Sequence, residues 1–319
     1  AAAVAARAVP FALGTDVGGS VRLPAAWFGL TGLKPTAGAI PRTGVVPLSW
    51  TAETVGPLAR SAADAAKLFA LLRGPDGADP RCGDVPPFAP DDRGDVERGD
   101  LTGLRVAVVG GEVTAFCDAE VRAGVDAVVG HLAAAGADVV EAELAHGAAA
   151  LPIGYEIVFA EAATLHRLDA GHRDRWDRYD PVTVRRISQG ITTPAVDYLR
   201  ALQFRAELQR ELDAVLSDVD LLVMPTCPST APWLPETGSD ATVVVDGETF
   251  PLYAAQSRTT MIANLTGAPA LALPSGLAAD GCPISVQFVG RPHDEATLLQ
   301  AAHVVQTRTD HHRRSPSPA

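Results

Sequence analysis

Lysine is nearly absent from this chain of 319 residues, in which Lys34 and Lys67 are the two lysines and arginine supplies the remaining basic residues. The net charge of −12 disfavours a general surface for nucleic acid or for an anionic membrane. Arginines cluster between residues 173 and 186, but this spacing also fits a solvated helix face. We therefore expect no nucleic-acid partner and no membrane partner.

Cysteine is also scarce, and its pattern excludes several kinds of site. The four cysteines are far apart, without a C-x-x-C pair or a His/Cys cluster at zinc spacing, so no metal is expected. They fit a reducing compartment, and with no signal peptide or long apolar run the chain is expected to be cytoplasmic. Gly110 and Gly111 follow an apolar segment, but the G-x-G-x-x-G spacing of a dinucleotide site is missing. No cofactor is predicted.

Glycine, in contrast, is concentrated where chemistry is most plausible. The stretch 14–24 reads Gly-Thr-Asp-Val-Gly-Gly-Ser-Val-Arg-Leu-Pro. Gly18 and Gly19 lack a Cβ, so the backbone can turn sharply and approach a ligand closely. Ser20 follows directly, and a hydroxyl beside such a turn can act as a nucleophile near backbone N–H groups. A glycine turn with a solvated serine is the simpler alternative.

The residues around this turn, together with blocks elsewhere in the chain, resemble the amidase signature family. The blocks keep the family order and reach nearly both ends of the chain. They cover residues 1–6, 14–26, 32–36, 54–66, 264–270 and 281–292. The segment from about 75 to 260 matches only loosely.

The resemblance implies an α/β fold, an α/β/α layered sandwich around a mixed sheet. It implies a single domain over residues 1–319 that lacks its N-terminal part, because the chain begins inside an alanine-rich helical pattern. Residues of about 145–260 would form a variable region of helices and loops. The tail, residues 308–319, is expected to be disordered.

The resemblance also assigns roles around the turn. It makes Ser20 the catalytic nucleophile. Asp16 and Arg22 flank the turn, and they either position it or form a structural ion pair. The backbone N–H groups of the oxyanion hole would be those of Val17, Gly18, Gly19 and Ser20.

The family's base is a second serine and a lysine, and both lie upstream of the nucleophile. Neither is in this sequence, and we assign their roles to neither Lys34 nor Lys67. A Ser-His-Asp site is disfavoured because Ser20 lacks the G-x-S-x-G elbow. Arg7 also departs from the family, which has a small glycine there.

These observations predict an amidase that hydrolyses a non-peptide amide of a small molecule through an acyl-enzyme on Ser20. One alternative is the A-type subunit of a glutamyl-tRNA amidotransferase, although Leu23 stands where that subunit has glutamine. Another is a catalytically incomplete fragment or binding module. A homodimer is left open. Candidate apolar wall residues are Trp27, Phe28, Tyr155 and Trp233.

Periodicity predicts a β-α-β unit, with strands at 104–109 and 138–141 around a helix at 118–135. Ser61 and Asp294 are predicted N-caps. Segment 169–193 is charged and loosely patterned. Further helices are predicted at 1–9, 62–72, 154–168, 194–217 and 294–305, and further strands at 11–13, 219–224, 270–273 and 284–288.

Overall fold

The computed structural model describes residues 1–83, 85–86, 99–168, 174–233 and 241–316. Its centre is an eight-stranded sheet, beside which lies a separate two-stranded hairpin. The strands of the sheet are β1 (Phe11–Asp16), β2 (Thr31–Lys34), β3 (Thr54–Ala59), β4 (Arg105–Val109), β5 (Asp138–Ala142), β6 (Leu221–Pro225), β9 (Ala270–Leu277) and β10 (Pro283–Gly290), and those of the hairpin are β7 (Thr242–Val245) and β8 (Glu248–Pro251). The order in the sheet is β1-β3-β2-β9-β10-β6-β4-β5. The β4–β5 and β4–β6 pairs are parallel and the other pairs are antiparallel, so the sheet is mixed, as predicted.

Helices cover both faces of the sheet. They are α1 (Ala2–Ala5), α2 (Arg22–Trp27), α3 (Ala62–Leu72), α4 (Ala119–Ala134), α5 (Ala150–Ala163), α6 (Pro181–Ile191), α7 (Ala195–Asp218), α8 (Leu252–Gln256), α9 (Met261–Thr266) and α10 (Glu295–Arg308).

Alternation along the central strands builds the two cores. In β6, Val223 belongs to the core under α3, α4 and α10, whereas its neighbour Met224 belongs to the core under α5, α7 and α9. Both residues are fully buried. Successive side chains of a strand point to opposite faces, so an uninterrupted apolar strand must be covered on both sides. This confirms the predicted α/β/α layers.

Local signals place several elements correctly. The Ser61 hydroxyl accepts a hydrogen bond from the N–H of Asp64 (3.1 Å) at the start of α3. Asp294 accepts one from Thr297 N–H (3.4 Å) at the start of α10, which runs on to Arg308. The β-α-β unit is confirmed as β4, α4 and β5.

Other elements differ from the sequence-based expectation. Helix α1 ends at Ala5, because Arg7 takes a positive φ of 60° that interrupts the alanine pattern. Helix α6 lies in the segment that looked loosely patterned. Its start is marked by Asp180, whose carboxylate accepts from Val182 N–H (2.9 Å), and by Pro181 at the first helical position.

The tail also differs in part from the prediction. After α10, residues His311–Arg313 form a 3₁₀ turn. Arg7 Nη2 donates to the carbonyl of Arg313 (2.8 Å), which ties the turn to the N-terminal end of the chain. The expectation of disorder is therefore wrong for this turn, and residues 317–319 lie outside the described part.

One stretch, Gly147–Arg167, is long and apolar enough to cross a membrane by length and composition. Its central part is α5, which packs against α6, α7 and α9. Ile157 and Ala162 of this helix are fully buried. Of the most apolar part of this stretch, 44% is buried inside the protein, so burial accounts for part of the apolar composition.

Candidate active site

The turn that carries Ser20 connects the end of β1 to the start of α2. Gly19 has a φ of 120°, which side chains rarely allow. A Cβ there would lie 2.4 Å from Oγ1 of Thr260, and one on Gly18 would lie 3.0 Å from the end of Met261. The close approach of Thr260 and the positive φ therefore require glycine at position 19, whereas a side chain at position 18 would need the flexible end of Met261 to shift by a few tenths of an ångström.

Asp16 and Arg22 form a buried ion pair behind the turn. Both side chains are fully buried. Arg22 Nε donates to Oδ2 of Asp16 and Nη2 donates to Oδ1, each at 3.0 Å. Burial raises the pKa of the Asp16 carboxyl, but the Arg22 guanidinium, with Lys34 and Asn264, outweighs burial and lowers the pKa to about 2. The carboxylate is therefore ionised at neutral pH.

The Asp16 carboxylate also holds the turn itself. The N–H of Gly19 donates to Oδ1 of Asp16 (2.7 Å), and the N–H of Val21 donates to Oδ2 (3.3 Å). The expectation that Gly19 contributes to the oxyanion hole is therefore wrong for this structure, because its donor is already used.

Three of the four predicted donors have no such partner. Within the described part of the chain, the N–H groups of Val17, Gly18 and Ser20 make no hydrogen bond. Ser20 is exposed and its hydroxyl has no hydrogen-bond partner among the described residues. No His, Asp or Glu side chain of the described residues is hydrogen-bonded to it, so the predicted nucleophile has no base bonded to it within the described part.

Two polar residues that the sequence analysis did not single out form further hydrogen bonds to the Asp16–Arg22 ion pair. Arg22 Nη1 donates to Oε1 of Gln287 (2.9 Å), and Nη2 donates to Oδ1 of Asn264 (2.7 Å). Asn264 Nδ2 in turn donates to the carbonyl of Asp16 (3.0 Å) and to its Oδ1 (2.9 Å). Both residues lie in the blocks that carry the family resemblance, and a polar residue within an apolar strand or helix is the signal that could have found them.

Ser20 opens into a cavity of about 450 Å³. Trp27 and Tyr155 line it as predicted, whereas Phe28 and Trp233 line other cavities. The guanidinium of Arg186 lies 4.2 Å from the ring centroid of Tyr253 at its side. The remaining walls are supplied mainly by α2, α5, α6 and α9, through Leu23, Val158, Phe159, Ala162, Thr183, Ile187 and Met261.

Lys34 is fully buried. Its Nζ donates to the carbonyl of Pro35 (3.0 Å). Burial, with the nearby Arg22 charge, lowers the pKa of Lys34 to about 7. A lysine with such a pKa is a chemically plausible base, but no hydrogen bond joins it to Ser20 among the described contacts.

Comparison with known proteins decides the family. The amidase family model matches residues 1–299. The chain belongs to the amidase signature family. Among its relatives, the A-type subunit of the glutamyl-tRNA(Gln) amidotransferase of Chloroflexus aggregans is 36% identical over 342 residues, which cover 100% of this chain and 67% of that protein. The corresponding subunit of Roseiflexus castenholzii is 36% identical over 339 residues and is covered to 66%.

Solved structures agree with this assignment to the amidase signature family. The structure of 6-aminohexanoate cyclic dimer hydrolase has a TM-score of 0.86 and 26% identity, over 98% of this chain and 67% of that one. A vestigial protein complex related to the origins of an s-triazine catabolic enzyme has a TM-score of 0.86 and 31% identity, over 96% and 64%. The amidase chain thus spans about two thirds of the length of these relatives.

Proposed function

We propose that this chain carries the nucleophile and the oxyanion donors of an amidase that hydrolyses a non-peptide amide. The observation that supports this most is the position of Ser20 at the cavity, with three N–H donors of its own turn left free among the described contacts. Donors held ready for developing charge stabilise the tetrahedral intermediate of acyl transfer.

In the proposed reaction, the oxygen of Ser20 bonds to the amide carbon while its proton passes to a base. The N–H groups of Val17, Gly18 and Ser20 face the oxyanion that forms. The carbon–nitrogen bond then breaks and the amine leaves with a proton. Water attacks the resulting ester, which releases the carboxylic acid and restores the hydroxyl. The family resemblance places the base in a lysine and a serine upstream of this sequence.

The cavity supports an apolar amide as the substrate. Its walls are largely aliphatic and aromatic, and Arg186 is the charged side chain among the described lining residues, with no carboxylate beside it. A positive charge without a nearby carboxylate favours a neutral or anionic ligand over one that carries an ammonium group. An apolar amide, neutral or with a carboxylate at its far end, fits this lining.

A second candidate is a subunit of an amidotransferase, since several relatives carry that name at 34–36% identity. In that case the chain would work with protein partners and on charged tRNA. The net charge of −12 and the absence of a described carboxylate to receive an ammonium group in the cavity favour the hydrolase. The cytoplasmic location and the homodimer remain predictions.

Four proteins test the proposal: the printed chain, its fusion to the N-terminal third of the Chloroflexus aggregans relative, and Ser20→Ala in each. Amine or ammonia release is measured with an aryl amide, the same amide carrying a carboxylate, and glutamine. We expect the fusion to hydrolyse the aryl amides through Ser20. The printed chain should retain only the rate left by the oxyanion donors, about 10³–10⁴ over water by analogy with triad knockouts. Ser20-independent release would contradict the nucleophile, and release from glutamine alone would favour the amidotransferase.

A further inference from the structure

The peptide bond between Gly18 and Gly19 is held at both of its polar ends. The hydroxyl of Thr260 donates to the carbonyl of Gly18 (2.6 Å). The N–H of Gly19 donates to Oδ1 of Asp16 (2.7 Å). Thr260 and Asp16 are both fully buried. Two buried side chains from distant parts of the chain thus fix the plane of this one peptide.

Without such bonds, this peptide would be the least constrained one in the turn. Glycine on both sides removes the Cβ contacts that normally restrict rotation of a peptide plane. Rotation would exchange the directions of the Gly18 carbonyl and the Gly19 N–H. A full exchange would aim the Gly18 carbonyl at the Asp16 carboxylate, and a smaller rotation would turn the neighbouring N–H groups of Gly18 and Ser20 away from the charge that they are meant to stabilise.

Thr260 also sets the shape of the turn by contact. Its Oγ1 occupies the space that a Cβ on Gly19 would need, and its one proton, donated to Gly18, is shared with the carbonyl of Ser257 at the longer distance of 3.2 Å. Ser257 lies between α8 and α9 and lines the cavity, as does Met261 at the start of α9. The hydroxyl therefore links the donor turn to the wall of the cavity.

We propose that Thr260 is a positioning residue, whose hydroxyl holds the Gly18 carbonyl so that the N–H groups of Val17, Gly18 and Ser20 stay directed at the cavity. Thr260 acts through the backbone of the turn and touches no reacting atom. The proposal rests on the proposed amidase function for its effect on catalysis, but not for its effect on the backbone.

The variant Thr260→Val removes the hydroxyl and keeps the size of the side chain, whereas Thr260→Ser keeps the hydroxyl. Thr266→Val is the matched control, because the Thr266 hydroxyl donates to a backbone carbonyl at similar distance, that of Ile262 (2.9 Å), in α9 but away from the turn. Hydrogen exchange of the Gly19 amide is measured by NMR in the printed chain. The kcat and KM values are measured in the fusion described above.

We expect Thr260→Val to speed exchange of the Gly19 amide at least about tenfold, since local opening becomes easier. In the fusion it should lower kcat by about 10–100-fold with KM nearly unchanged, because the donors act on the transition state. Thr260→Ser and Thr266→Val should leave both quantities close to those of the parent chain.

Unchanged exchange in Thr260→Val, or a kcat loss equal to that of Thr266→Val, would overturn the proposal. A loss that appears in KM alone would also overturn it, since that would show a role in substrate contact. If the parent fusion has no Ser20-dependent turnover, the amidase function fails. The exchange rates still decide whether Thr260 holds the turn.

Discussion

Replacing Arg22 by methionine should destabilise the chain by about 3–5 kcal/mol, the usual cost of breaking one side of a buried ion pair. The guanidinium makes two hydrogen bonds to Asp16, one to Gln287 and one to Asn264, all out of contact with solvent. Methionine fills much of the volume but leaves a carboxylate and two amide oxygens without these donors. The uncompensated Asp16 charge is the largest part of the expected cost.

The pH dependence of stability should change sign as well. In the parent chain the pKa of Asp16 is about 2 when folded, against an ordinary value of 3.8. The pair therefore contributes its full stability above pH 3.8 and loses it as the pH falls toward 2. This contribution is about 2 kcal/mol, since one pKa unit corresponds to about 1.4 kcal/mol. Without Arg22, we expect the effect of burial on the pKa of Asp16 to outweigh the lowering effects of Lys34 and Asn264, so that acidification should partly restore the variant.

Urea unfolding at pH 7, 5, 4 and 3 measures both effects, since the parent chain loses the contribution of the pair only below pH 3.8. Arg105→Met is the matched control, because Arg105 forms an exposed ion pair with Asp138 at 3.2 Å. An exposed pair contributes about 0–1 kcal/mol, so this variant should stay close to the parent. The double variant Asp16→Leu with Arg22→Met should recover stability relative to Arg22→Met alone. Equal losses for the two arginine variants would refute the reasoning.

Three further changes test other parts of the structure. Gly19→Ala should cost about 2 kcal/mol more in urea unfolding than Gly44→Ala, since both have positive φ but a Cβ meets Thr260 only at position 19. Lys34 should make the free energy of unfolding of the parent chain rise by up to about 1.4 kcal/mol per pH unit between pH 7 and 10, because in this range the lysine keeps its proton in the unfolded chain and loses it in the folded chain. Lys34→Met should remove this slope when unfolding curves are measured across the same pH range. Glu161→Gln should lower the melting temperature, because the buried Glu161 carboxylate accepts hydrogen bonds from three side-chain hydroxyls and an amide accepts them less well. The expected loss in the free energy of unfolding is about 1–3 kcal/mol. An unchanged melting temperature would contradict this role.

Hydrophobic periodicity predicted the helices and strands that have a clear apolar pattern. It missed elements whose sequences are charged or too short to show a pattern. The unit of β4, α4 and β5 combines an apolar strand with an amphipathic helix, and each boundary was found within two residues. Helix α6 has a single buried residue, Ile187. Few apolar positions therefore mark the face of this helix that contacts the core. The β7–β8 hairpin turns at Asp246 and Gly247, a typical hairpin pair that the sequence analysis overlooked.

The candidate site likewise has a part that could be predicted from the sequence and a part that could not. Asp16, Ser20 and Arg22 are near in sequence, so their proximity follows from one short turn. Asn264 and Thr260 are more than 240 residues away, and only the completed sheet and α9 bring them to the turn. Their partners could not be inferred from local pattern. The hydrogen bond from the Gly19 N–H to Asp16 joins residues only three apart, and the sequence analysis missed it although the contact is local.

The turn and the walls of the cavity are stabilised by different kinds of interaction. The turn is held by buried charge and hydrogen bonds that connect β1 and α2 to α9 and β10. Much of the opposite wall comes from α5 and α6, which lie in the segment that matches the family only loosely. Apolar wall residues contact a ligand through shape, and volume-conserving changes among them cost little. A change of the walls can therefore alter the accepted amide without moving the donors, whereas the buried polar network tolerates no such exchange because each member completes another's hydrogen bonds.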